Sequence, residues 1–199
     1  MNNKPPWEVS GVPWKTESAY WGWVRGVLRK GWSRHPVKLE FIKKFRKKVP
    51  NPNPNGRVSE VWGMQCNHCK GDFAMPIAKK TKDKILKDFG VKVVCIEINH
   101  KNAASSLKCK EDLEGFAGRL LYVNFDDLEP LCKECHDVYT YMERHGGTFE
   151  EVVDIKKVIE FGKLPVGEQK SQLRLQSIPE KDMMNASLRK KAFLGTLNK

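Results

Sequence analysis

Two pairs of cysteines, Cys66-x-x-Cys69 and Cys132-x-x-Cys135, have the spacing with which a tight turn aims two sulfurs at one ion. Two such turns supply the four soft ligands of a tetrahedral zinc and leave no position open for reaction, so the metal they imply is structural. Disulfides are the other use of paired cysteines. No basic-then-apolar leader opens the chain, however, which points to a reducing compartment and favours metal. Cys95, in the run Val93-Val94-Cys95-Ile96, reads as a core thiol, and Cys109, in a polar stretch, as a loop thiol. Two histidines stand beside this framework: His100, directly after Asn99 at the end of an apolar run, and His136, directly after Cys135. An imidazole titrates near neutral pH, so each can exchange a proton with water or ligate a cation. His68 sits between the first two cysteines and reads as exposed, while His35 and His145 read as structural or surface groups.

These groups need a scaffold. Thr16 can cap a helix from Glu17 to about Gly31 whose apolar residues recur at helical spacing, and Trp21, Trp23 and Trp32 read as core rather than as stacking platforms. Pro36 opens a second helix that runs through the lysine-rich stretch until Pro50 stops it. Asn51-Pro52-Asn53-Pro54-Asn55-Gly56 is rich in breakers and predicts a linker. A hairpin-like first knuckle (61–70), a helix from about Ile77 to Phe89 ended by Gly90, and a strand from Val91 to Asn99 follow. Further helices are predicted over 113–122, from Cys135 or His136 to Arg144 with Gly146-Gly147 as the stop, and over 148–161. Residues 163–199 show little apolar periodicity and predict a poorly ordered basic tail, with a short helix near 185–194. The expected organisation is thus a basic helical region and linker (1–56), a zinc-knuckle domain (57–162) and a flexible basic tail (163–199).

The formal net charge of +12 is unevenly spread: residues 1–60 carry 13 Lys/Arg against 4 Asp/Glu, 163–199 carry 8 against 3, and 61–162 carry 15 against 17. Basic arms around a near-neutral middle fit a protein that grips nucleic acid phosphates, and Lys43, Lys44, Arg46, Lys47 and Lys48 are the candidate backbone contacts. A basic surface without a ligand is the plainer reading. No run of about 18 apolar residues offers a membrane span, so the expected location is the cytoplasm.

The run Ile96-Glu97-Ile98-Asn99-His100 and the later Asp127-Leu128-Glu129-Pro130-Leu131-Cys132-Lys133-Glu134-Cys135-His136 resemble the zinc-knuckle branch of the HNH endonuclease family. The stretches Trp14–Glu17, Trp23–Gly26 and His35–Glu40 resemble bacteriophage-encoded members. The resemblance covers roughly residues 61–145 and implies an α+β fold with a ββα-metal core, hydrolysis of DNA phosphodiesters, and DNA as partner, alone or within a phage packaging or other nucleoprotein complex in the host cytoplasm. It implies Zn2+ on the four cysteines, His100 as general base, Asp127 as the residue that orients it or assists the metal, and Asn99 with His136 as ligands of a catalytic Mg2+ or Mn2+.

Phosphodiester hydrolysis requires those parts independently: a base for water, a cation for phosphate charge, and a group that aims the base. Two positions depart from the family pattern. Asn99 replaces the usual aspartate, which shifts the burden of charge to Asp127 or Glu97, and Tyr139 replaces a common lysine. The alternative function is therefore a catalytically weak or inactive zinc-stabilised protein that binds DNA or a protein partner.

Overall fold

A computed structural model describes residues 4–102 and 106–197. The chain forms two compact units, residues 1–136 and 137–199. The class is α+β, as expected, with small antiparallel sheets among helices.

The first unit opens with α1 (Glu17–Ser33), whose N-terminus is capped by Thr16: its hydroxyl accepts from the Ala19 N–H at 3.2 Å. Trp21 on its inner face packs with Leu107, Phe116 and Leu120, the last two from α4 (Asp112–Leu121). Helix α2 (Pro36–Phe45) ends before the expected stop. Arg46 turns extended, and Lys47–Pro50 form strand β1, because β2 (Glu60–Gln65) offers it a ladder in which Lys48 pairs with Trp62 and Val49 with Val61. Lys47 and Lys48 therefore lie on a strand and not on a helix. The asparagine–proline run is likewise not a linker. It closes the β1–β2 hairpin, with the Asn51 amide donating to Val58 O at 2.8 Å and its oxygen accepting from Asn53 N–H at 2.9 Å.

Strand β3 (Asp72–Ala74) completes that sheet, and the first cysteine pair sits in the β2–β3 turn. Gly63 permits this packing, since a Cβ there would come within 2.4 Å of Val49 Cγ2 and 2.3 Å of Phe73 O. Helix α3 (Lys79–Phe89) ends at Gly90, which takes the left-handed φ of 68°. Strand β4 spans Ile96–His100, shorter than the sequence predicts, because only these residues find partners in β5 (Leu128–Cys132). The register sets Ile96 opposite Cys132, Asn99 opposite Glu129 and His100 opposite Leu128. Strand β5 runs directly into α5 (Lys133–His145).

The second unit contains the body of α5, then α6 (Phe149–Lys163), α7 (Val166–Leu175) and α8 (Ala186–Leu197). The poorly ordered tail expected over 163–199 is instead helical over most of its length. Its few apolar residues are placed by tertiary packing: Leu173 and Met183 are buried against Phe161, whose ring stacks on Phe193 at 4.2 Å. Arg189 is buried with no carboxylate partner among the described residues, donating to Gln169 Oε1 at 2.8 Å and Met183 O at 3.1 Å. Phe161→Ala is expected to destabilise this unit by about 3–5 kcal/mol, the usual result of deleting a buried ring. Hydrogen exchange should show α7 and α8 losing protection, and unchanged protection would mean the ring is not their anchor.

Candidate metal centre and adjoining histidines

The β2–β3 turn and the β5–α5 junction bring the sulfurs of Cys66, Cys69, Cys132 and Cys135 within 4.8 Å of one another. Cys69 and Cys132 Sγ lie 4.0 Å apart, near the ~3.8 Å edge of a tetrahedron with metal–sulfur bonds of ~2.3 Å. Three of the four thiols are buried, and Cys69 is exposed. Backbone N–H groups point at the sulfurs, Cys132 N to Cys66 Sγ at 3.2 Å and Cys135 N to Cys132 Sγ at 3.5 Å. At Cys66 burial works upward on the pKa, but N–H donors from Cys132, Cys69 and His68 outweigh it and the net shift is down. Burial pushes Cys132 up to about 11 and Cys135 higher still, with the neighbouring thiolates adding to both. Four soft donors that repel one another when ionised fit a cation such as zinc.

Alternation along β4 sends Glu97 and Asn99 to one face and Ile96, Ile98 and His100 to the other. On the first face, Glu97 Oε2 lies 2.7 Å from His136 Nδ1. That nitrogen is buried and makes no hydrogen bond of proper geometry, and the carboxylate lies at ion-pair distance from it. The contact to His136 holds the Glu97 carboxyl below the usual carboxylate range, with burial opposing. Asn99, the expected partner of His136, instead donates from Nδ2 to Glu129 Oε1 at 3.1 Å, and Asn67 of the first knuckle donates to the other oxygen at 3.0 Å.

On the second face, His100 is half-buried, with its ring 4.2 Å from that of Trp32. Nε2 meets Leu120 O at 3.1 Å. A carbonyl only accepts, so this contact selects the Nε2–H tautomer and leaves Nδ1 as the basic nitrogen. Burial lowers the His100 pKa from 6.5; the charges of Lys38 and His35 lower it further, and the Leu120 carbonyl and Asp127 work against them. Asp127 shares a cavity of about 270 Å³ with His100 and acts on it by charge. Its Oδ2 is held by Asn124 N–H at 2.8 Å in a capping box. The group that touches and orients the ring is the Leu120 carbonyl.

Lys38 acts on both faces. It lines a cavity of about 390 Å³ with Glu97, its Nζ lies 5.2 Å from the Trp32 ring centroid, and burial lowers its pKa while Glu97 opposes the shift. Lys38 lies on α2, outside the five basic residues that the sequence marks as candidate phosphate contacts.

The five basic residues expected at phosphates have different surroundings. Lys43 pairs with Glu40 at 3.6 Å and Lys47 with Asp72 at 2.6 Å. Lys44 lies over the Phe45 and Phe125 rings at 5.3 and 5.2 Å. Arg46 and Lys48 both lie over Trp62, at 4.3 and 4.4 Å, a residue the sequence reading did not single out. Among the described residues no helix is long and apolar enough to cross a membrane. Comparison with protein-family models, with curated proteins and with solved structures gave no match.

Proposed function

We propose that the protein is a metal-dependent DNA endonuclease of the HNH kind, with Zn2+ as a structural ion on the four cysteines. The observation that carries this reading is the antiparallel β4–β5 pair running into α5 beside the cysteine cluster, with His100 at the end of β4 and His136 in the first turn of α5. Of the residues present, His136 and Glu97 fit a second, harder cation: a buried ring nitrogen without a hydrogen-bond partner faces a carboxylate. A bound Mg2+ or Mn2+ supplies charge for the phosphate and the leaving oxygen.

The chain's own groups account for the rest. His100 Nδ1 takes a proton from the attacking water, while the Leu120 carbonyl keeps the ring from turning. Trp32 covers one side of the ring and limits its access to solvent. Lys38 places a positive charge within reach of both His100 and Glu97. The zinc-stabilised binding protein without catalysis has one observation in its favour, the engagement of the Asn99 amide by Glu129.

The test is supercoiled plasmid incubated with zinc-replete protein and Mg2+ or Mn2+. Cation-dependent nicking or linearisation supports the enzyme, and intact plasmid that still shifts on a gel supports the binding protein. Glu97→Ala should weaken Mn2+ binding to the zinc-replete chain by at least tenfold, read by electron paramagnetic resonance, with Asn99→Ala changing it less. The reverse ranking would return the ligand role to Asn99.

A further inference from the structure

One exposed indole carries two cations. Lys48 is the cross-strand partner of Trp62, Arg46 lies two residues earlier on the same side of the chain, and both charges sit over the Trp62 ring, which stays 45 % exposed. Two like charges at one ring repel, and neither has a carboxylate partner among the described residues. Lys47, pointing the other way between them, is the one neutralised, by Asp72. The arrangement calls for an anion.

The ring also borders a cavity of about 330 Å³, walled by Asn51, Val61, Met75 and Pro76 among others, which has room for a planar base. Met75 and Pro76 line the cavity that holds Lys38 and Glu97 as well, so the two cavities share a wall. An exposed ring covered by paired cations can hold an unpaired nucleotide: the phosphates draw the charges off the ring and the base stacks on the face they leave.

We propose that Trp62, Arg46 and Lys48, with the adjoining cavity, form a subsite for an unpaired stretch of DNA that leads toward Glu97 and His136. The choice of DNA rests on the nuclease reading above; the stacking site itself does not. Duplex DNA keeps its bases stacked inside the helix, so it meets only the two cations, whereas a frayed or single-stranded segment meets the ring as well.

The experiment is fluorescence anisotropy of a labelled twelve-nucleotide oligothymidine, a twelve-base-pair duplex and a twelve-nucleotide oligouridine. It uses the full zinc-replete chain with no other divalent cation, so that no cleavage is required. The parent should prefer oligothymidine to oligouridine. Trp62→Ala should weaken oligothymidine binding about tenfold or more, Trp62→Phe should retain most of it, and duplex binding should change less than twofold. Arg46→Gln with Lys48→Gln should weaken both DNA forms and flatten the salt dependence on single strands by about 1.4, or ~0.7 per lost phosphate contact. Equal losses on single strand and duplex from Trp62→Ala, or no loss on either, would overturn the subsite. Tighter binding of oligouridine would overturn the assignment to DNA. A plasmid that is never nicked, combined with this pattern, would refute the nuclease and leave the subsite standing.

Discussion

Cleavage of supercoiled plasmid by His100→Ala is expected to be slower than by the parent chain by a factor of about 10²–10⁴, the contribution of a positioned general base. Gel-shift affinity should be unchanged, because the imidazole sits against the Trp32 ring and the Leu120 carbonyl. The same residue fixes the expected pH dependence. Neutral imidazole is the competent form, and burial first, then Lys38 and His35, hold its pKa below 6.5. The acid limb of the rate profile should therefore lie below that value, and an acid limb above 6.5 would remove His100 from the role. Stability should move in the same direction. The unfolded chain protonates this ring near 6.5 while the folded chain resists, so the unfolded state binds more protons as pH falls from there toward the folded value, and stability declines across that window.

Removing the structural ion should have the second large effect. Purified protein is expected to hold one zinc per chain by elemental analysis, and chelation or Cys135→Ser should abolish amide protection in β4 and β5. Structural zinc binds with an apparent ~10–16 kcal/mol, which matches or exceeds the ~5–15 kcal/mol stability of an ordinary domain. Without the ion, burial and the neighbouring thiols favour the protonated forms of Cys132 and Cys135, and protonated thiols do not hold two turns together. Protection that survives in the metal-free chain would show that the strands are held by packing alone.

The residues with the most specific chemistry were also the most legible. Cysteine spacing announced a four-sulfur centre, and local signals such as Thr16 and Gly90 placed helix ends close to where they lie. What the sequence concealed were partners set by pairing across the chain. The lysine run alternates charge with apolar residues as a helix would, yet Lys47 and Lys48 joined β1 because β2 was there to pair with them, and the breaker run that suggested a boundary became their hairpin. At the site, the neighbour relation Asn99-His100 was plain, but strand alternation sends the two to opposite faces and leaves Glu97, two residues earlier, facing His136. No local pattern marks a backbone carbonyl such as Leu120 O or a lysine one helix away such as Lys38. Of the C-terminal helices, the one near 185–194 was legible and corresponds to α8, whereas α7 was not, because its anchors, Phe161, Leu173 and Met183, are too sparse to form a periodic pattern.

Cys69 and Cys132 stand 63 positions apart, and α3, β4 and α4 all lie between them. With the ion in place that whole segment is a loop closed at its neck by metal–sulfur bonds, a ring of chain rather than an open thread. A single proteolytic cut anywhere within it leaves both ends tethered at the cluster. The nicked chain would stay one particle until the ion leaves.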